Sequence, residues 1–431
     1  MHPRRGEAVR RLLPALALLA LAGCVLVPPS WSPDGKSVAC LMQCTDGRAK
    51  GREHQVWVLG VDGRARQLEA REGGLGAPAW SPDGRCIAWS SGNEVVLWDV
   101  EGRKRRVLEA GGAFGEKDLV VYGMRALSWV PGSNSLVGTF LRAGVDPDGP
   151  IEERLVVKRW DVDGGQATTL LEHADLSWCQ PSPDGKWILG IEKSGWNGEV
   201  RTLVLLPAAG GERRILGGAT ATNAFTLYAA WAPDGQSIAV SYAQSEGDRG
   251  NRTGVAVIGL DGEELRFLST PSSDVTPLVY GWPAKGKGIL VVLDRGDKAA
   301  NEIAWIDPNK GTLESIASTD GYPSVGCLAL SPDGERVAYC VSGELIKAMP
   351  AWRVRSLAGG SDRWIQTTAQ NAAAFLGGML DAIDATADVA LAERIRQAAL
   401  RDAKAAREAY PDEASIAEVE KQLRASCGGG K

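Results

Sequence analysis

The sequence predicts an all-β ring of seven four-stranded blades, followed by an α-helical segment. Three observations predict it. One short phrase recurs along the chain as Trp31-Ser-Pro-Asp-Gly35, Trp80-Ser-Pro-Asp-Gly84, Ser182-Pro-Asp-Gly185, Trp231-Ala-Pro-Asp-Gly235 and Ser331-Pro-Asp-Gly334, with decayed copies at Trp129-Val-Pro-Gly132 and Trp282-Pro-Ala-Lys-Gly286. Its prolines stand at 33, 82, 131, 183, 233, 283 and 332, so the steps are 49, 49, 52, 50, 50 and 49 residues. A second phrase, an aliphatic run closed by an acidic or glycine turn, falls once in each interval, for example Val56 to Gly63, Val95 to Gly102 and Val255 to Gly262. Third, the composition turns rich in alanine, glutamate and arginine after Gln366. Strand-like flanks at a period of roughly 40–50 residues are the sequence pattern of a β-propeller. Six blades plus one decayed unit is the alternative. The two phrases alternate in order seven times, which favours seven.

The chain has 431 residues, and its first segment reads as a targeting signal. Arg4, Arg5, Arg10 and Arg11 precede an apolar run from Leu12 to Ala22. That run is too short for a bilayer, which needs about 20 residues. It ends in Leu21-Ala22-Gly23-Cys24, which resembles the lipobox of bacterial lipoproteins. The resemblance implies cleavage before Cys24, a diacylglycerol on its thiol and, with Val25 following, no retention at the inner membrane. An ordinary signal peptide with an incidental cysteine is the other reading. Residues 1–23 are thus expected to leave, residues 24–366 to form the propeller and residues 367–431 the helical tail.

Each unit opens with a short strand ending at or near tryptophan. Ser-Pro-Asp-Gly then turns the chain: proline presets φ, aspartate suits the next position and glycine takes the left-handed one. A second strand follows, as in Ser37 to Cys40 and Arg336 to Tyr339. Asp-Gly between apolar runs then marks the next hairpin. In the tail, Leu376, Leu380, Ile383, Ala387, Leu391, Ile395 and Ala398 recur at helical spacing. This predicts one helix, or two with a break near Thr386. Pro411 suits the first turn of a further helix over Asp412 to Ser426. The apolar stripe packs on the propeller or on itself, or else it binds a partner.

A formal net charge of −5 argues against nucleic acid as a partner. Beyond Cys24, the remaining cysteines are Cys40, Cys44, Cys86, Cys179, Cys327, Cys340 and Cys427. No pair of them has metal spacing with a second pair, and only His54 and His173 lie beyond the signal, so zinc is not expected. Cys40 and Cys340 occupy similar places in the first and last repeats. They are either buried strand cysteines or a ring-closing disulfide.

Topology puts the first and third turns of every blade on one face. The variable loops lie on the other, where function is expected. Asp146, Asp148 and Glu152 cluster in one such loop and would suit calcium, or are simply solvated turn acids. Phe114, Tyr122, Trp196, Tyr228 and Tyr322 are candidates for a binding surface, or for inner-strand core. The chain holds no Gly-x-Ser-x-Gly elbow, phosphate-binding loop or dinucleotide fingerprint.

The Trp-Ser-Pro-Asp-Gly-Lys-x-Val/Ile-Ala pattern resembles the WD-like repeats of TolB, the propeller of the Tol–Pal envelope system, and those of prolyl oligopeptidase-type and tricorn peptidases. The likeness covers roughly residues 25–366. TolB-type chains carry an α/β domain before the propeller and are not lipidated, and this chain departs on both points. The combined expectation is a lipid-anchored envelope propeller, of outer-membrane type and facing the periplasm, that binds a protein or peptide and catalyses nothing. The alternative is an envelope hydrolase or lyase, or a carbohydrate-binding module.

Overall fold

The computed structural model describes residues 28–44, 53–72, 74–92, 94–110, 124–144, 152–173, 176–194, 200–216, 228–245, 251–262, 265–268, 275–295, 301–318, 324–342, 351–358, 363–365, 369–386 and 388–426. They form seven antiparallel four-stranded sheets, each built from consecutive strands. Blade 1 holds β1 (Ser30–Trp31), β2 (Ser37–Cys44), β3 (Glu53–Gly60) and β4 (Ala65–Glu72). Blade 2 holds β5 (Ala79–Trp80), β6 (Cys86–Ser91), β7 (Glu94–Asp99) and β8 (Lys104–Ala110). Blade 3 holds β9 (Met124–Trp129), β10 (Ser135–Gly144), β11 (Glu152–Asp161) and β12 (Ala167–His173). Blade 4 holds β13 (Leu176–Pro181), β14 (Trp187–Ser194), β15 (Val200–Pro207) and β16 (Arg214–Leu216). Blade 5 holds β17 (Ala229–Trp231), β18 (Ser237–Ser245), β19 (Asn251–Gly259) and β20 (Leu265–Phe267). Blade 6 holds β21 (Thr276–Gly281), β22 (Ile289–Asp294), β23 (Glu302–Ile306) and β24 (Leu313–Ser318). Blade 7 holds β25 (Ser324–Leu330), β26 (Arg336–Ser342), β27 (Ala351–Ser356) and β28 (Arg363–Ile365).

First strands of neighbouring blades touch, β1 on β5 and β25 on β1 among them, so they form the inner ring. Among the described residues no blade borrows a strand from the other end of the chain. The fold is the seven-bladed propeller that the repeat predicts. Its core is divided into seven apolar clusters, one at each junction between adjacent blades. The period-2 alternation of each strand supplies both neighbouring junctions at once.

The Ser-Pro-Asp-Gly turn is a closed hydrogen-bond unit. In blade 1, Gly35 N donates to Ser32 O at 2.8 Å, Ser32 Oγ donates to Asp34 Oδ1 at 2.7 Å, and Ser37 N donates to Ser32 Oγ at 2.9 Å. Gly35, Gly84, Gly185, Gly235 and Gly334 all have φ between +66° and +76°, which favours glycine. Gly132 stands one position earlier, yet it too has φ +69°. There the left-handed residue follows the proline directly, as a type II turn requires.

Tryptophans that end inner strands join the blades. Trp31 Nε1 donates to Ala329 O at 3.0 Å, Trp129 Nε1 to Ala79 O at 3.0 Å, and Trp231 Nε1 to Gln180 O at 3.2 Å. The first of these bonds closes the ring between blades 1 and 7.

Three helices follow: α1 (Ala369–Ala385), α2 (Val389–Ala409) and α3 (Ala414–Ala425). The break falls at Thr386, and Asp388 caps α2 by accepting from Ala390 N and Leu391 N. Phe375, Leu376, Met379, Ile395, Ile416 and Leu423 are buried in the same cluster as the junction of blades 6 and 7. Arg353 of β27 makes a buried ion pair with Asp402 of α2. The helical stripe is therefore covered by the propeller and by itself. Among the described residues no helix is long and apolar enough to cross a membrane.

Candidate functional site

Cys24, Phe114, Tyr122, Asp146, Asp148, Trp196 and Tyr322 lie outside the described residues. Glu152 begins β11, and its side chain lies outside them as well. Among the described residues no group of three or more His, Cys, Asp or Glu side chains could hold a metal ion. Tyr228 is described. It precedes β17, is half-buried, and stacks on Tyr280 of β21 with ring centroids 5.5 Å apart. It also packs against the cluster between blades 5 and 6. Burial pushes the Tyr280 hydroxyl well above its ordinary pKa, and the nearby Tyr228 adds to the effect. Both rings sit on the inner ring of first strands, and Tyr280 stays protonated there.

An open cleft lies on the turn face between blades 6 and 7. It has a volume of about 400 Å³ and is lined by Lys285, Lys287, Trp305, Glu314, Arg355 and Leu357, among others. Its origin is local. Blade 6 carries the decayed turn, in which Pro283-Ala-Lys-Gly286 has neither the serine nor the aspartate of the regular copies. The main chain of Lys285 presses instead on the next blade, so that a Cβ on Gly334 would lie 2.0 Å from Lys285 O. The Lys285 side chain is left exposed at the rim. Trp305 lies beneath Gly286, with ring atoms 3.0–3.2 Å from where a Cβ would stand.

Three cations and one carboxylate line this cleft, and Lys287 pairs with Glu314. Both partners are more than half exposed, so the pair is open to competition from a ligand. Ile316 and Leu357 line the cleft as well, and both also pack against the helical tail's core. An excess of positive charge beside apolar side chains suits an anionic segment that carries an apolar residue. Sequence reading passed over this place because it pointed to the variable loops. The available signal was the decay of the blade 6 copy, one of two decayed copies among seven.

No family model matches the chain, and no curated relative is found. Solved structures do match. An oligogalacturonate lyase from Vibrio parahaemolyticus is 12% identical over 77% of this chain and 89% of its own, with a TM-score of 0.55. The propeller domain of the Trilobed protease from Pyrococcus furiosus, described as having an open velcro topology, is 14% identical over 79% of this chain and 97% of its own, at 0.51. A putative TolB from Agrobacterium tumefaciens is 14% identical over 76% and 88%, at 0.41. At these identities the first two establish the propeller fold and nothing finer.

Proposed function

We propose that this chain is a lipid-anchored cell-envelope propeller that binds an acidic peptide segment of an envelope protein and catalyses no reaction. The observation that carries the reading is the basic, partly apolar cleft where the repeat breaks. A rigid ring presents Lys285, Lys287 and Arg355 on one rim, so little order is lost when a ligand docks. The lipobox-like Leu21-Ala22-Gly23-Cys24 supports the anchor and the periplasmic face of the outer membrane.

Fluorescence anisotropy with a labelled acidic peptide tests the binding. Lys285→Glu should weaken it roughly tenfold, about 1.4 kcal/mol, and raised salt should weaken it further. Binding indifferent to both changes would sink the reading. The anchor is tested separately: Cys24→Ser should lose incorporation of labelled fatty acid while the propeller still folds.

A second reading, an envelope lyase or carbohydrate-binding module working from the variable face, is favoured by the match along 89% of a propeller lyase. In this reading Asp146, Asp148 and Glu152 would bind calcium. Incubation with acidic oligosaccharides separates the two readings. An unsaturated product seen by ultraviolet absorbance, or retention of the oligosaccharide without product, supports this one, and the absence of both supports the first.

A further inference from the structure

The junction of blades 1 and 7 joins the two ends of the ring without a shared sheet. Among the described residues it is held by the Trp31 indole on Ala329 O, the Arg336 guanidinium 5.8 Å from the Trp31 ring, and one apolar cluster. Three cysteines lie in that cluster. Strand alternation says which way they face. On β2, Val38, Cys40 and Met42 belong to the seam, while Ala39 belongs to the cluster with blade 2. On β26, Ala338 and Cys340 belong to the seam, while Val337, Tyr339 and Val341 belong to the cluster with blade 6. Cys40 and Cys340 thus project from facing sheets into the same junction, each 1% exposed.

Cys327 is the third. It sits in a bulge of β25 with φ +56°, a left-handed value unusual for a residue with a side chain. In register, Cys340 opposes Gly326 rather than Cys327.

We propose that Cys40 and Cys340 are a modification site: under oxidation they form a disulfide that locks the ring covalently across its seam. The step is thiol–disulfide exchange with a disulfide donor. A thiolate of the pair attacks the donor's S–S bond, releasing one donor thiol and leaving a mixed disulfide. The second cysteine attacks that mixed disulfide and releases the other donor thiol. The two cysteines lose two protons and two electrons, and the donor gains both. An oxidising compartment outside the cytoplasm supplies such donors. Burial, and then the neighbouring Cys340, push the Cys40 thiol well above its ordinary pKa. The closed seam therefore keeps the thiolate scarce, and oxidation waits on seam opening.

The test uses the purified, reduced full chain. It is incubated with oxidised glutathione in dilute urea, returned to buffer, treated with N-ethylmaleimide and mapped by peptide mass. A linked Cys40–Cys340 peptide is expected. The melting temperature should rise by roughly 5 °C, and dithiothreitol should reverse the rise. Cys40→Ala should abolish both effects, and Cys327→Ala should abolish neither. Alkylation of both thiols, or a link from Cys340 to Cys327, overturns the proposal. So does a Cys40–Cys340 link with no change in melting. The wild-type map decides the matter even if a variant fails to fold.

Discussion

The junction between blades 2 and 3 and the junction between blades 6 and 7 derive from the same repeat and are held in different ways. At the first, the Trp129 indole donates to Ala79 O and eight side chains are buried, all from the blades. At the second, Leu330 stands where the repeat has tryptophan, so no indole is available to donate. The decayed turns of blades 3 and 6 both lack the Ser–Asp bond, so that bond does not separate the two junctions. In the second, the buried cluster takes ten residues from the blades and twelve from the three helices. At the junction of blades 6 and 7, material outside the repeat supplies the packing. The cleft opens at the same place.

The sharpest way to break this comparison is to undock the tail. Asp402→Ala leaves the Arg353 charge buried without its carboxylate and should cost about 3–5 kcal/mol. Urea unfolding followed by tryptophan fluorescence measures it. A loss under 1 kcal/mol would mean that the helices are an ornament to blade 7 rather than part of its core.

Glycine turns rank next. A Cβ on Gly235 would meet nothing closer than 3.7 Å, so Gly235→Val should cost little beyond the left-handed penalty of about 1–2 kcal/mol. Gly334→Val adds a clash with Lys285 O and should cost about 1–3 kcal/mol more. Equal melting temperatures for the two variants would refute the close approach of the turns of blades 6 and 7.

Smaller again is the indole comparison. Trp129→Phe gives up a bond to Ala79 O and should cost about 1 kcal/mol. The buried Trp80 Nε1 has no hydrogen-bond partner among the described residues, so Trp80→Phe should be neutral or slightly stabilising. Thermal melts of the two variants side by side decide it.

The smallest effect is on pH. The Ser81 hydroxyl, then the Arg85 backbone and guanidinium, hold Asp83 down at about 2, and the Ser331 hydroxyl does the same first for Asp333. A carboxylate depressed in the folded state stabilises above its ordinary value of 3.8 and loses that contribution as pH falls from about 4 to 2. Asp83→Asn should flatten this part of the melting-temperature profile slightly. Its effect should be largest at neutral pH and vanish near pH 2. An undiminished difference at pH 2 would contradict the turn chemistry.

Blade number and turn chemistry were legible in the residues because each is local. A Pro-Asp-Gly turn needs its residues within a few positions. A strand announces itself by alternation. The tail's spacing allowed one helix or two, and the structure has two with the break at Thr386, while the further helix starts at Ala414, past Pro411. The site was less legible. Most of the residues singled out lie in variable loops outside the described residues, where a single sequence offers composition and no geometry. Tyr228, read as either surface or core, sits half-buried on Tyr280 because inner strands of adjacent blades converge.

By itself, the sequence determined that the chain is a ring of seven repeats with helices after it, since short-range turn and strand preferences repeated seven times leave little else. Only the tertiary structure decided which blade the helices cover, where a cleft opens and which cysteines face each other. Those outcomes depend on contacts between residues as far apart as Trp31 and Ala329, or Arg353 and Asp402. Side-chain alternation sets which face each residue presents, but closure of the ring sets what it meets.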